Sequence, residues 1–415
     1  MIAAGRNPLI FIFVTRLIDA IGFGIVMPVL PQLLLSMGSP NVAAATRMAG
    51  ILLVTYAALQ FFCGPIMGNL SDRFGRRPVI LASLFAYGFD YMLMGFAPTI
   101  GWLFLGRAVA GVAGAVFVPA NAFVADVTPP EKRAQAFGMM GSAFGLGFIL
   151  GPGIGGLLGE LGPRAPFFVA GALAGLNFLF GAFVLPESLP PERRRAYSWR
   201  RANPLGAAVA LKRYPTVLVY ASVLAAYLIG NNVYPSTWAF FMTYRFDWSP
   251  GMIGLSLVAT GVAMSLVQFG LTGRVARHIG EARTALLGLS AAAVACLAYA
   301  LAPLPWMVFV ITVVGALQAI AYPALNALMS REIPPNAQGE LQGAVASVSS
   351  IANITGPLVM TQAFAFFTAP GAPIHFPGAA FVLAAVLNTI GIVMLLTHLT
   401  RVAADAAMRI KDEQS

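Results

Sequence analysis

Charged residues are scarce in this chain of 415 residues, since Asp, Glu, Lys and Arg together make up only 10% of it. Soluble domains carry about 25% charged residues. With 59% hydrophobic residues, a soluble core could not bury the apolar surface, so the sequence excludes a soluble globular protein. Cysteine is also rare: Cys63 and Cys296 lie far apart inside apolar runs and read as packing residues.

Groups for enzyme chemistry are missing from the sequence as well. The three histidines, His278, His375 and His398, are predicted at helix ends or in loops, where they build no metal-ligand cluster. Neither a nucleophile elbow nor a phosphate-binding loop is present. An enzyme is therefore not expected, and no metal or cofactor is implied.

Long apolar runs dominate what is present, and the mean hydropathy is +0.81. A helix needs about 20 apolar residues to cross a bilayer, and the continuous runs do not show the alternation of a membrane β-barrel. The first run lacks a convincing cleavage site and reads as a retained helix. We predict an all-α membrane protein with twelve spans at about 7–35, 46–71, 77–97, 101–125, 133–160, 166–186, 214–242, 250–273, 282–302, 304–331, 338–367 and 376–399.

The basic residues that give the net charge of +10 are concentrated on one predicted side of the membrane. This distribution argues against a nucleic-acid-binding surface. Of the 25 basic residues, 20 fall on one set of alternating loops and on the termini. The other five are Arg47, Arg164 and Arg245 on the opposite loops, and Arg16 and Arg107 inside spans. Cytoplasmic loops carry the excess of Lys and Arg. Both termini are therefore predicted to be cytoplasmic, and no nucleic-acid partner is expected.

An internal repeat divides the chain. Landmarks recur at an offset of 205 residues: Gly68 and Gly75 as Gly273 and Gly280, Pro129-Pro130 as Pro334-Pro335, and Gly151-Pro152 as Gly356-Pro357. The repeat predicts two pseudo-symmetric six-helix bundles, 1–186 and 214–400, joined by a basic cytoplasmic linker, 187–213, and followed by a polar cytoplasmic tail, 401–415. Repeats of this kind place the substrate between the halves, near the bilayer midplane.

Ionisable residues inside spans are the first candidates for function, because a charge at mid-bilayer costs several kcal/mol. Asp19, Asp90 and Arg107 are predicted to couple protons to transport, with Arg16 beside Asp19 as a substrate-binding residue. The alternative is a structural ion pair, with Arg16 reaching towards the membrane surface. The 205-residue counterparts of Asp19, Asp90 and Arg107 are uncharged.

Neutral polar and aromatic residues form the second set of candidates. An apolar pocket with a few polar groups suits an amphipathic ligand, although each residue could instead bond one helix to another. The predicted substrate-binding set, besides Arg16, is Gln60, Asn231, Tyr234, Trp238, Gln268, Gln318 and Tyr322.

A polar loop and a glycine-rich span form the third set. The stretch GNLSDRFGRRP supplies one acid and three arginines between two apolar runs, which alone could be a generic basic turn. GSAFGLGFILGPGIGG carries small residues at helical spacing around a proline that bends the helix. The predicted gating residues are Gly68, Asp72, Arg73, Gly75, Arg76, Arg77, Asp126, Gly151 and Pro152.

These motifs resemble a known family. The pattern G-x-L-x-D-R-x-G-R-R resembles the loop signature of the major facilitator superfamily, and G-P-x-x-G-G resembles its antiporter signature. LIDAIGFGIVMPVLP, FDYMLM and FLGRAVAGVAGA resemble the tetracycline/proton antiporter branch, with its charged residues at Asp19, Asp90 and Arg107. The resemblance implies a monomeric, multi-pass protein of the bacterial inner membrane that exports a small amphipathic drug-like compound in exchange for protons by alternating access.

Two departures from that branch bear on the substrate. LGLSAAAVACLAYA lacks the acid that such exporters carry in the ninth span, and Arg16 stands where they usually have a neutral residue. Both favour a neutral or anionic ligand over metal-chelated tetracycline. A proton-coupled symporter or facilitator of a small organic anion is the alternative, and a scaffold that only keeps the transporter fold is a third hypothesis.

Overall fold

The computed structural model describes residues 8–198, 213–334 and 337–414, and within these ranges the chain is helical, without strands. Among these described residues, twelve helical segments are long and apolar enough to cross a membrane, as predicted. The α-helices in the described ranges are α1 (Pro8–Val26), α2 (Leu30–Ser36), α3 (Val42–Phe74), α4 (Arg76–Phe96), α5 (Ile100–Gly114), α6 (Phe117–Val127), α7 (Arg133–Gly159), α8 (Ala165–Val184), α9 (Pro215–Asn231), α10 (Val233–Phe246), α11 (Pro250–Gly270), α12 (Thr272–Ile279), α13 (Glu281–Leu301), α14 (Pro305–Gly315), α15 (Ala321–Arg331), α16 (Gln338–Thr368) and α17 (Ala379–Gln414).

The repeat is visible in the helix ends. α4 and α13 begin and end at positions that differ by one offset (281 − 76 = 301 − 96 = 205). The glycines before them, Gly75 and Gly280, have positive φ angles of 103° and 78°. Both turns therefore use a backbone conformation that is essentially restricted to glycine.

The first and the last spans are among those that differ from the prediction. The first one breaks after Val26 and resumes as α2, with Pro31 in the first turn of the new helix, a position that tolerates its missing N–H. The last one continues to Gln414, into the predicted tail. Alanine is frequent after Arg401 and is the strongest helix former. The prediction that His398 lies at a helix end is thus wrong, because α17 runs through it.

The chain forms two compact units. One consists of Met1–Pro204, Pro235–Gly261 and Thr368–Ala372, and the other of Leu205–Tyr234, Val262–Phe367 and Pro373–Ser415. The predicted linker is described only as far as residue 198 and again from 213; the basic residues Arg200 and Arg201 lie outside the described residues.

Glycines bring α7 against α1 in the first unit. Three glycines of α7 and three carbonyl groups of α1, each set spaced by four residues, face one another: Gly147 and Leu17, Gly151 and Ile21, Gly155 and Ile25. A methyl group on Gly147 or Gly151 would lie 2.6 Å from the facing carbonyl oxygen, so only glycine permits this approach. The spacing of four keeps each set on one helix face, and the contact places the polar side chains of α1.

Gly151→Ala should destabilise the protein, because the added methyl group has backbone on the facing side and overpacking costs about 1–3 kcal/mol. Gly145→Ala is the matched control, since Gly145 lies in the same helix with nothing within 4 Å of the added methyl group. Thermal unfolding in detergent should show a lower Tm for Gly151→Ala and an unchanged or higher Tm for Gly145→Ala. Equal shifts would contradict the close packing of α1 and α7.

Candidate functional site

The ion pair between Asp90 and Arg107 joins α4 to α5. Arg107 Nη2 lies 2.8 Å from Asp90 Oδ2, and the Asp90 side chain is completely buried. The same nitrogen contacts Met94 Sδ at 2.7 Å, one helical turn beyond Asp90. A methyl group on Gly106 would lie 2.6 Å from Asp90 Oδ1, so this glycine leaves room for the carboxylate. The structure thus brings together two of the three predicted proton-coupling residues.

Aromatic and amide side chains continue this polar cluster towards α3. The Gln60 amide nitrogen donates to the Tyr56 hydroxyl at 3.2 Å and to the Gly114 carbonyl at 3.1 Å. The hydroxyls of Tyr56 and Tyr87 both lie 2.9 Å from where a methyl group on Gly114 would stand. Of these three side chains only Gln60 was predicted; the two tyrosines were missed, although each lies in an apolar span and Tyr87 precedes Asp90 by less than one turn.

Two further predicted site residues, Arg16 and Asp19, lie on α1. Arg16 Nη2 donates to Asn121 Oδ1 at 3.0 Å, and its guanidinium carbon lies 3.8 Å above the ring centroid of Phe117. Asp19 Oδ2 is buried with no hydrogen-bond partner. Arg16 and Asp19 form no direct ion pair within 4.0 Å in the described structure. The predicted neighbouring cation is therefore turned towards α6.

The second unit carries a neutral counterpart built from Tyr234, Gln318 and neighbouring groups. The Gln318 amide nitrogen donates to the Tyr234 hydroxyl at 3.3 Å, and that hydroxyl lies 3.8 Å from Cys296 Sγ. The hydroxyls of Tyr299 and Thr312 are 2.8 Å apart. Tyr234 and Gln318 were predicted together. Cys296 and Tyr299 were missed, and their signal was a polar side chain in an otherwise small and apolar span.

The other substrate-binding candidates are Trp238, Gln268, Tyr322 and Asn231. The Trp238 indole donates to the Ser256 hydroxyl at 2.9 Å, which makes it a buried contact within the first unit. Gln268 and Tyr322 are exposed, and Asn231 Oδ1 is buried without a partner. The roles of these four residues in substrate binding stay predictions.

Arg76 is the centre of the polar loop after α3. Its guanidinium contacts Asp72 at 2.6 Å, Asp126 at 3.2 Å and the Ser71 hydroxyl at 2.6 Å. Arg76 is only 9% exposed, so three acceptors compensate the buried charge. The loop is thereby tied to α6.

Three other predicted gating residues, Arg73, Arg77 and Gly68, make separate contacts near the loop. Arg77 donates to the Ala182 carbonyl at 2.7 Å, whereas Arg73 is exposed and lies over the Phe74 ring at 5.1 Å. A methyl group on Gly68 would lie 2.9 Å from Val118 Cγ1, so Gly68 gives α3 close access to α6.

Glu187 anchors the loop and was not predicted. Its carboxylate accepts the backbone N–H of Arg76 at 2.8 Å and that of Leu189 at 3.0 Å, and it lies 3.8 Å from Arg194. The carboxylate also fills the space beside Gly75. Because 111 residues separate Glu187 from Arg76, no local pattern could indicate the contact.

A second acid that was not predicted, Glu160, forms a hydrogen bond at the C-terminal end of α7. Glu160 follows α7, and its carboxylate accepts the backbone N–H of Gly251, in the first turn of α11, at 2.8 Å. Donation from Gly251 and from the Ser249 hydroxyl lowers the pKa of Glu160, with the Ser249 bond as the larger cause. A carboxylate at a helix N-terminus also complements the helix dipole. The same face of α7 packs on α11 through Gly156 and Gly254.

Comparison with known proteins decides the family. The model of the Major Facilitator Superfamily matches residues 12–357 and 223–407. The chain belongs to the major facilitator superfamily. It is a multi-pass membrane transporter rather than an enzyme, as predicted.

Relatives within the superfamily agree with the predicted branch. The chain is 41% identical over 360 residues to the tetracycline resistance protein, class C, of Escherichia coli, covering 87% of this chain and 90% of that protein. It is 33% identical over 398 residues to the class H protein of Pasteurella multocida, covering 95% and 96%. Among solved structures, the human organic anion transporter MFSD10 superposes with a TM-score of 0.66 at 24% identity, covering 93% of this chain and 98% of that one.

A second solved structure confirms the fold. A bacterial homolog of the human lysosomal transporter Spinster, captured inward-facing and unoccupied, superposes with a TM-score of 0.76 at 18% identity. The match covers 94% of this chain and 96% of that one. The predicted major facilitator fold is therefore confirmed.

Gly75→Ala should destabilise the protein more than Gly280→Ala. Both substitutions force a side chain into a positive-φ conformation, which costs about 1–3 kcal/mol. Only at Gly75 would the methyl group also displace the Glu187 carboxylate, because nothing lies within 4 Å of one at Gly280. The difference in Tm between the two variants measures the Glu187 contact, and equal losses would mean that this contact adds nothing.

The Glu160 contact should loosen in acid. A carboxylate whose pKa is lowered by folding stabilises above the ordinary value of about 4.3, and the stabilisation is lost as pH falls through the lowered pKa. Spin labels at the exposed residues Leu161 and Met252 should report a longer or broader distance distribution at pH 3.5 than at pH 7. Glu160→Gln should remove this dependence, and a variant that keeps it would assign the effect to another acid.

Proposed function

We propose that this major facilitator is a proton antiporter that exports a small amphipathic compound of the tetracycline type by alternating access. The observation that carries the proposal is the completely buried Asp90 carboxylate paired with Arg107, with a second acid, Asp19, on α1. Identity of 41% to a tetracycline resistance protein supports the same activity.

Asp90 is proposed to take and release the transported proton. In the ionised state its Oδ2 accepts from Arg107, while Oδ1 is buried without a partner and is the open position for a proton. Protonation removes the negative charge from the pair and leaves the Arg107 charge uncompensated. Because an unpaired charge in a low-dielectric interior is costly, the change in charge favours a rearrangement of α4 against α5.

Asp19 is proposed as the acid that couples the proton to the substrate. Its open Oδ2 lies on the helix that the α7 glycines hold in place, so a movement of α7 changes its surroundings. Substrate contacts are proposed at Gln60 in the first unit and at Tyr234 and Gln318 in the second. Each offers a hydrogen-bonding group within an apolar helix.

The Arg76 network is proposed to be the cytoplasmic gate. Arg76 holds Asp72, Asp126 and the chain near Glu187 in one cluster, so opening on that side requires breaking several bonds at once. The excess of Lys and Arg on these loops supports a cytoplasmic location for the network and for both termini. We propose a monomer in the bacterial inner membrane as the working unit.

Everted membrane vesicles test the proposal directly. With tetracycline as substrate and an imposed inward-acid pH gradient, the wild-type protein should accumulate tetracycline, whereas Asp19→Asn and Asp90→Asn should each lose about tenfold or more of this transport, the low end of the range for removing an acid–base group. Glu192→Gln, at an exposed acid of the linker, is the matched control and should transport normally.

Two outcomes would oppose the proposal. Accumulation that survives collapse of the gradient and both Asn substitutions would exclude proton coupling through these acids. Substrate movement in the same direction as protons would replace antiport by symport.

A further inference from the structure

Arg16 is a buried cation with an open donor. It is 7% exposed, and its Nη1 is buried with no hydrogen-bond partner. The opposite nitrogen, Nη2, is held by Asn121 at 3.0 Å, and Phe117 covers the guanidinium plane at 3.8 Å. These contacts fix the orientation of the side chain, and they leave one N–H direction for an acceptor that the described residues do not supply.

Asp19 presents the complementary opening on the same helix. Its Oδ2 is buried and has no donor. Residues three apart on a helix are surface neighbours, with their Cβ atoms about 5–6 Å apart. Nevertheless, the two charged groups form no direct ion pair within 4.0 Å among the described residues.

Neither group finds its partner in the next charged pair. Asp90 is bonded to Arg107, and the same Arg107 nitrogen also contacts Met94 Sδ. Arg16 and Asp19 attract each other electrostatically but make no direct bond, and Tyr87, which also interacts with Arg16, supplies no negative charge as a neutral phenol. An open cationic donor and an open anionic acceptor thus stand one helical turn apart, and both are buried.

We infer that Arg16 and Asp19 form a dipolar subsite that binds a zwitterionic group of the substrate. An anionic oxygen of the ligand accepts from Arg16 Nη1, and an ammonium of the same ligand donates to Asp19 Oδ2. Charge-assisted hydrogen bonds of this kind are the strong ones, and a ligand that carries both charges satisfies both buried groups at no net charge. A ligand with only one charge leaves the other group unpaired.

This inference rests on the proposed function and specifies its substrate as dipolar. It also explains why a proton and the substrate exclude each other. A protonated Asp19 is no longer an anionic acceptor for the ammonium, so the loaded carrier must first release its proton.

Binding to a matched series of naphthyl compounds tests the subsite. The four compounds are 2-naphthylalanine (a zwitterion), its methyl ester (a cation), its N-acetyl derivative (an anion) and the N-acetyl methyl ester (neutral). Their dissociation constants are measured calorimetrically on the purified protein in detergent at pH 7.5. The zwitterion should bind the wild-type protein at least about tenfold more tightly than the other three, since loss of one charge-assisted bond is worth about 1.4 kcal/mol or more.

Variants assign each charge to its residue. Arg16→Gln should abolish the preference for the zwitterion over the cationic ester, and Asp19→Asn should abolish the preference over the N-acetyl anion. Arg16→Lys, which keeps the charge and much of the length, should retain part of the preference. Arg47→Gln, at an exposed arginine of α3, is the control and should bind as the wild-type protein does.

The outcomes separate this inference from the proposed function. A wild-type protein that does not prefer the zwitterion overturns the inference even if the Arg16 variants fail to fold, and proton-driven tetracycline transport in vesicles would then still support the antiporter. Preference unchanged in Arg16→Gln also overturns it. Zwitterion-selective binding without proton-driven transport would uphold the subsite and count against antiport.

Discussion

The first unit depends on the ion pair between Asp90 and Arg107. A carboxylate with no exposed surface inside a hydrocarbon layer requires a cation at hydrogen-bond distance, which fixes α5 against α4. Gly106 gives the carboxylate its room, and the rings of Tyr87 and Tyr91 stack on the same helix with their centroids 6.3 Å apart. The charged residues on α1 lie on a helix that packs closely on the glycines of α7.

The two halves share a backbone plan but differ in charge. The positions 205 residues after Asp90 and Arg107 are Ala295 and Thr312, so the second unit lacks the ion pair at the equivalent place. There, Thr312 bonds to the Tyr299 hydroxyl at 2.8 Å, a neutral hydrogen bond that involves no change of charge. At these equivalent positions the first unit therefore carries an ion pair, while the second offers neutral hydrogen-bonding groups.

The sequence predicted those features that depend on hydropathy, on the internal repeat and on the cost of a charge in the membrane. Hydropathy located all twelve spans, and the repeat offset reappears in the ends of α4 and α13. The cost of intramembrane charge selected Asp90 and Arg107, which the structure pairs. Contacts between residues far apart in the sequence could not be predicted. Arg16 donates a hydrogen bond to Asn121, 105 residues away, and makes no direct bond to Asp19 on its own helix face. Such choices are made by packing between helices, which a periodic pattern does not encode.

An ion pair occurs at equivalent positions near the loops after α3 and α12, with the acid and the arginine exchanged. In the first unit Arg76 bonds to Asp126; at the 205-residue counterparts Arg331 lies 2.5 Å from Glu281, with the polarity reversed. The Arg331 side chain is 71% exposed, so that pair contributes no more than about 1 kcal/mol, because water screens it. Arg76 is buried, and removing one of its partners leaves an uncompensated charge. The equivalent ion pairs therefore differ in how much they stabilise each half. The difference comes from the burial of Arg76 and the exposure of Arg331, and not from which partner carries the positive charge.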